Sequence, residues 1–352
     1  MSETALPETP ERTATASWTR RVLLVALLLV GGAAFTFSWL QRQLGPVSKN
    51  TAATTPFEVE AGWGAAQVAG ALEGAGLVQN ARVFSFYLQL RGLDRSVGEG
   101  LYTLSPALGA AGVAERLAAG GQPRVSLVLI PEGFRAARVV QRLRNDAEID
   151  IGALVRRPGA LRPAFVPPGA GLEGYLFPAR YEIPDGNTPA EAVARMLARF
   201  ERELTPAVRR NLRRLGLNVH EWVTLASIVQ AEAGSHAEMP VIAGVFLNRL
   251  DRGMRLQSDP TVAYGLNKPL PELDAVAGDL RRDTPWNTYT RAGLPPTPIG
   301  NPGRDALSVI FRAERTDVAG RPYLYFLHGL DGSFRPNLTL EAHNSDVETY
   351  LR

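Results

Sequence analysis

The longest apolar run in the chain, VLLVALLLVGGAAFTFSWL from Val22 to Leu40, carries no charged residue. At about 19 residues it can cross a bilayer core of roughly 30 Å as a helix. Arg20 and Arg21 stand immediately before it, Trp18 and Trp39 mark its two ends, and only Arg42 and Lys49 follow closely. This distribution predicts a cytoplasmic N-terminus with the bulk of the chain outside. A cleaved secretory signal is the rival reading, but the run exceeds a usual signal core and no A-x-A-like site follows, so a retained anchor is expected. Residues 1–17, rich in Thr, Ala, Glu and Pro, have too few large apolar residues to fold and are expected as a disordered tail.

After the span the pattern becomes that of a folded protein. Phe57 and Val59 alternate as in a short strand. Val68, Leu72 and Leu77 then mark a helix, Asn80 caps a second one carried by Phe84, Tyr87 and Leu88, and GLYTL (Gly100–Leu104) closes as a strand. A helix through Val113 and Leu117 follows, then VSLVLI (Val125–Ile130), read as a buried strand from its continuous apolar run. Pro131, Glu132 and Gly133 turn the chain into a helix ending near Asn145. LEGYLFPARYEIP, from Leu172 to Pro184, is aromatic-rich and broken by prolines, which suits either a wall of a sugar-binding groove or core packing. Thr188, Pro189 and Glu191 open a long helix.

The stretch from Asn218 to Arg255 organises the rest. Asn218 with Glu221 forms a capping-box variant, and Trp222, Leu225, Ala226 and Val229 predict one buried stripe. Glu232 continues the edge of that stripe among small residues, and Gly234 is expected to end the helix in a left-handed conformation. Ser235 with Glu238 predicts a second capping box, opening a helix that runs to Gly253. From the helix alone two readings of Glu232 stand: an ordinary, partly solvated carboxylate, or a desolvated one whose raised pKa lets it act as a general acid.

Composition narrows the classes. With 352 residues, 45% hydrophobic and 21% charged, two folded domains are expected. A net charge of +3, spread along the chain, gives little support to nucleic-acid binding. The absence of cysteine excludes disulfides, thiolate metal sites and a thiol nucleophile. His220, His236, His328 and His343 are scattered without ligand spacing, and no G-x-S-x-G elbow or phosphate loop occurs, so no metal and no cofactor is expected. The segments LQSDPTVAY (Leu256–Tyr264), DTPWNTYT (Asp283–Thr290) and GLPPTPIGNPG (Gly293–Gly303) are dense in hydroxyls, amides and aromatic rings, which suits carbohydrate.

Taken together, LASIVQAEAG around Glu232, VFLNRL (Val245–Leu250), GMRLQSDPTVAYG (Gly253–Gly265), NTYTRAGLPPTPIGNPG (Asn287–Gly303), EAHN (Glu341–Asn344) and LEGYLFPARY (Leu172–Tyr181) resemble, in order, the endolytic murein transglycosylases, the YceG-like or MltG family. The resemblance implies an α+β protein: a cytoplasmic tail (1–21), one transmembrane helix (22–40), a linker (41–56), a LysM-like β-α-α-β subdomain (57–122) and a catalytic domain (123–352) with a catalytic helix and a loop-built cleft. The LysM likeness is one of topology, and a spacer domain that never touches sugar fits the same order of elements. The resemblance further implies an inner-membrane enzyme cutting nascent peptidoglycan strands, with peptidoglycan synthases as candidate partners. It makes Glu232 the catalytic residue and Gln257, Asp259, Thr261, Asn287, Tyr289 and Glu173 substrate-binding. The chain departs from the family pattern at Trp286, at Ala179 and at FRPN (Phe334–Asn337), which bears on sugar contacts at the cleft edge. Two other readings are a hydrolase using Glu232 with Asp259 as second carboxylate, and a non-catalytic wall-binding scaffold.

Overall fold

A computed structural model describes residues 14–274 and 276–351. Most of the tail expected to be disordered, residues 1–13, lies outside the described residues. The described chain is mixed α+β and divides into two compact units, one up to Arg124 and one from Val125.

In the first unit, helix α1 (Ala14–Leu44) contains a segment, Arg21–Leu44, long and apolar enough to cross a membrane, its apolar stretch uncovered by protein and its end, at Leu44, packed on the unit's core. The helix outruns the expected span because Gln41, Arg42 and Gln43 are good helix formers; Gly45 and Pro46 then stop it. The segment read as a linker is bonded to the unit that follows it. The amides of Val47 and Ser48 donate to the Pro106 carbonyl at 2.9 and 3.1 Å, and Gln79 Nε2 donates to the Pro46 carbonyl at 3.0 Å. Strand β1 (Thr55–Val59), helices α2 (Ala65–Gly74) and α3 (Ala81–Leu90) and strand β2 (Gly100–Leu104) follow in the expected order, with a further helix α4 (Gly109–Ala118). Asn80 caps α3 as expected, accepting from Val83 N at 3.1 Å. β1 pairs antiparallel with β2, bringing Phe57 opposite Tyr102 over a core of Val68, Leu72, Phe84, Leu88, Val113 and Leu117.

The second unit opens with β3 (Val125–Ile130), α5 (Ala136–Ala147) and the short α6 (Gly152–Arg156). Strand β3 is not the fully buried strand its apolar run suggested. It pairs only with β4 (Ala179–Pro184), α5 packs on one face of the pair, and Val125, Leu127 and Leu129 on the other face stay exposed while Val128 and Ile130 are buried. The aromatic segment before β4 resolves to core packing: Leu172, Tyr175, Leu176, Phe177, Tyr181 and Ile183 are all buried.

Helices α7 (Pro189–Glu201) and α8 (Pro206–Leu215), each with proline in its first turn behind a threonine cap, lead to α9 (Val219–Glu232). The Asn218–Glu221 capping box forms, at 2.9 Å for Glu221 N to Asn218 Oδ1 and 2.8 Å for Asn218 N to Glu221 Oε2. The expected single stripe is wrong in extent. Every residue from Trp222 to Val229 is buried, because α10 (Met239–Asp251), α11 (Asp259–Gly265) and α12 (Arg304–Val309) surround the helix. Burying Trp222, Leu225, Ile228 and Val229 stabilises the unit by about 1.5–3 kcal/mol each. The hydroxyls on the covered faces are paired: Thr224 Oγ1 donates to the His220 carbonyl at 2.8 Å, and Ser227 Oγ donates to the Thr224 carbonyl at 2.7 Å while accepting from Ile299 N at 3.0 Å. Strands β5 (Tyr325–His328) and β6 (Phe334–Asn337) form an antiparallel pair, and α13 (Leu340–Tyr350) packs against them.

Candidate active site

Glu232 is the last residue of α9. The helix stops because Ala233 turns extended (φ −72°, ψ 126°). Gly234 is not left-handed, contrary to expectation. The chain beyond is held by Glu238, whose carboxylate accepts from Gly234 N at 2.8 Å, Ser235 N at 3.3 Å and Ser235 Oγ at 2.9 Å. Residues 235–238 thus form a separate turn, so α10 begins at Met239 and Ser235 is not its cap. His328 Nε2 lies 2.9 Å from the same carboxylate and ties this turn to β5.

Glu232 faces an open pocket of about 390 Å³ whose lining includes Arg249, Gln257, Asp259, Tyr289, Tyr325, His328, His343 and Asn344. Burial pushes the Glu232 carboxyl up to about 7; the Ser258 hydroxyl opposes this, the negative charge of Asp259 adds to it, and the Arg249 cation opposes it. A carboxyl with that affinity holds its proton over part of the neutral range.

Three of the residues expected to bind substrate line the pocket. Gln257 holds a left-handed backbone (φ 51°), fixed by its N–H donating to the Thr288 carbonyl at 3.1 Å. Asp259, exposed, accepts from Tyr289 Oη at 2.6 Å. Burial and then Asp259 raise the Tyr289 phenol above its usual range, so it stays a donor.

The other three stand behind or away from the pocket. Thr261 is fully buried, with Oγ1 bonded to the Ser258 carbonyl at 2.6 Å and to Thr288 Oγ1 at 2.8 Å. Asn287, also fully buried, donates from Nδ2 to the carbonyls of Leu280 (3.0 Å) and Arg282 (2.7 Å) and accepts from Tyr289 N at 2.7 Å. Both side chains are consumed in shaping the loops that carry Gln257 and Tyr289. Glu173 accepts from Ala136 N at the start of α5 (2.8 Å) and from Tyr264 Oη (3.1 Å), joins Asn301, and does not line the Glu232 pocket. Its burial also raises its pKa to about 7, against the pull of the Ala136 amide.

Several pocket residues carried no role in the sequence reading. Arg249 is buried, with Nε donating to the Leu324 carbonyl at 2.7 Å and Nη1 to the Leu256 carbonyl at 2.6 Å, and its guanidinium lies 5.1 Å from the centre of the Tyr325 ring. The signal for it was a charge on the buried side of α10, one turn past Val245. His343 stacks on Tyr325 at 5.5 Å, and its Nδ1 is buried with no partner among the described residues. Burial, then the Arg249 charge, lowers its pKa. No group of three or more metal-ligating side chains occurs among the described residues.

The sequence model of the YceG-like family matches residues 57–349. A Bacillus subtilis protein named endolytic murein transglycosylase is 27% identical over 340 residues, covering 92% of this chain and 91% of that protein. A Streptococcus pneumoniae protein of the same name is 28% identical over 361 residues; this chain spans 94% of its own length but 64% of that relative. A crystal structure of a yceG-like protein from Listeria monocytogenes aligns with a TM-score of 0.53 at 28% identity, covering 83% of this chain and 99% of the other. With the family's pattern matched from the first strand to the last helix, the chain belongs to the YceG-like family.

Proposed function

We propose that the protein is an endolytic lytic transglycosylase of peptidoglycan in which Glu232 is the single acid–base group. The observation that carries this reading is one carboxyl, desolvated enough to hold a proton near pH 7, at the wall of an open pocket rich in polar side chains. Relatives named endolytic murein transglycosylase support the substrate class. As the neutral acid, Glu232 donates its proton to the glycosidic oxygen between N-acetylmuramic acid and N-acetylglucosamine while the C1–O bond breaks. The muramic acid C6 hydroxyl then attacks C1, its proton passes to the Glu232 carboxylate, and a 1,6-anhydro ring closes. The substrate thereby supplies the nucleophile that a hydrolase takes from water or a second carboxylate. Gln257 and the Asp259–Tyr289 pair contact the sugar at the pocket wall, and Arg249 balances the charge on Glu232 once its proton has left.

The finer assignments follow from the same reading. Residues 123–352 are the catalytic domain, with α9 as the catalytic helix. Residues 57–122 are a LysM-like subdomain, a proposal supported by their β-α-α-β order. Helix α1 anchors the protein in the inner membrane with its N-terminus cytoplasmic, as Arg20 and Arg21 favour. It holds the catalytic domain where synthases release new strands.

The test is a digest of purified glycan strands with product analysis by mass. The parent protein should yield 1,6-anhydromuramic ends and Glu232→Gln almost none. Reducing ends in place of anhydro ends would establish the hydrolase reading with Asp259. Unaltered activity in Glu232→Gln would leave Glu232 without a catalytic role.

A further inference from the structure

A second groove in the same unit belongs to none of the chemistry above. Phe134, Arg135 and Arg138 at the start of α5 face Asn267 and Lys268 just past α11 across a hollow of about 470 Å³. A second hollow of about 390 Å³ shares Phe134 and Arg138 and continues along α5 past Gln141, Arg142 and Asn145. Positions 138, 141, 142 and 145 form one stripe of the helix, so the two hollows make a single channel.

Its charge is unbalanced. Lys268 is neutralised by Asp279 at 2.7 Å, and Arg142 meets Asp146 at 3.4 Å. Neither Arg135 nor Arg138 pairs with a carboxylate within ion-pair distance among the described residues, although the Arg135 charge is felt by the buried Glu173 carboxyl behind Tyr264. Arg135 packs its guanidinium over Tyr264 at 5.1 Å and donates to the Lys268 carbonyl at 3.3 Å, while exposed Arg138 lies over Phe134 at 5.4 Å. Two guanidiniums spread on aromatic rings, with amides beside them, suit a carboxylate-bearing chain.

The channel also lies at a usable distance from the cleavage pocket. Asp259 stands at one end of α11 on that pocket, and Lys268 follows the other end on the channel; seven residues of helix span about 10 Å. Gly133, on the channel's border, packs beside Gln230, two residues before Glu232. The length of that helix is of the same order as one disaccharide of a glycan strand.

We propose that the channel is a second substrate subsite, receiving the carboxylates of a peptide stem carried by the strand about one disaccharide from the bond that is cut. The proposal rests on the transglycosylase reading. It predicts that stems are sensed by Arg135 and Arg138 and make no difference to the chemistry at Glu232.

The test uses the full chain in detergent and two substrates, glycan strands bearing peptide stems and the same strands stripped by an amidase. Arg138→Glu should raise KM on stem-bearing strands by about three- to tenfold, with kcat unchanged, and leave both constants unchanged on stripped strands. Arg209→Glu, an exposed arginine of α8 remote in sequence from the channel, is the control for general electrostatics and should change neither. An equal change on both substrates, a change matched by Arg209→Glu, or no change on either overturns the subsite. Absence of anhydro ends from the parent protein would instead overturn the transglycosylase reading. The subsite is then read by binding alone: stem-bearing strands should bind Glu232→Gln more tightly than the Glu232→Gln, Arg138→Glu double variant, and equal binding rejects it.

Discussion

Replacing Glu232 by Gln should stabilise the protein in a pH-dependent way while abolishing turnover, and both effects follow from one displaced proton affinity. Burial lifts the carboxyl from 4.5 to about 7. At about 1.4 kcal/mol per pH unit this corresponds to roughly 3 kcal/mol. The pocket is open to solvent, so about 1–2 kcal/mol is the reasonable expectation. The sign is fixed by linkage. Between pH 4.5 and 7 the folded state keeps a proton that the unfolded chain releases, so the parent loses stability as pH rises through that window. Gln cannot ionise and loses nothing there. The difference in unfolding free energy between Glu232→Gln and the parent, measured in detergent, should grow in favour of the variant by about 1–2 kcal/mol from pH 4.5 to 7.5 and then level off. Glu173 shifts the parent in the same direction, but it is present in both proteins and cancels. In parallel, kcat/KM of the parent should fall about tenfold per unit above pH 7, as the acid form disappears, and Glu232→Gln should lose about 10²- to 10⁴-fold. A stability difference that stays flat across the window, with full parent activity at pH 8.5, would show that Glu232 titrates as an ordinary carboxylate and refute the reasoning.

Further expectations concern the residues around it. Tyr289→Phe removes the 2.6 Å bond to Asp259 and should cut activity by about tenfold with melting nearly unchanged, since a single partly exposed hydrogen bond contributes about 1 kcal/mol. Asn287→Ala should instead unfold the loop, losing about 2–4 kcal/mol because two carbonyls and two amides lose a buried partner; denaturant titration distinguishes this from a loss confined to catalysis. Gly244→Ala would put a methyl group 1.9 Å from the Glu314 carbonyl oxygen, backbone that cannot swing away, and should lower stability by about 3 kcal/mol or more in the same titration.

What the sequence revealed and what it concealed divide along a physical line. Most local signals held: the Asn218–Glu221 box and the caps at Asn80 and Thr188 are set by side chains bonding amides three residues on, and they formed, whereas the Ser235–Glu238 box and a left-handed Gly234 did not. For Glu232 the apolar stripe left two readings open, a partly solvated carboxylate and a desolvated acid, and its surroundings in the fold favour the second. Failures came where a neighbour remote in sequence decides the outcome. VSLVLI has the pattern of a covered strand, but only one partner strand and one helix reach it. Gln257, Thr261 and Asn287 are all polar residues in or beside loops, and nothing local distinguishes a side chain that faces a pocket from one spent on a carbonyl. Arg249, Tyr325 and His343 meet Glu232 from α10, β5 and α13, elements whose convergence no short motif encodes.

A single carboxyl that must give a proton and then take one back needs an affinity matched to the pH at which it works. Burial alone pushes the Glu232 carboxyl up, and Asp259 pushes in the same direction. Left to those two forces it would hold its proton more tightly still. Ser258 and Arg249 act against them. Arg249 is suited to this because its own charge is not neutralised: its bonds go to the Leu256 and Leu324 carbonyls rather than to a carboxylate, so the guanidinium keeps a net positive charge beside the pocket. On the proposed mechanism that charge does most when Glu232 has given its proton away. A fixed cation then stabilises the carboxylate formed during bond cleavage, without reorganising at the moment of reaction. The Ser258 hydroxyl, buried without a hydrogen-bond partner among the described residues, lies close enough to weaken the same affinity. On the proposed mechanism Arg249, the cation that opposes burial, is thus the neighbour that lets one residue serve both half-reactions.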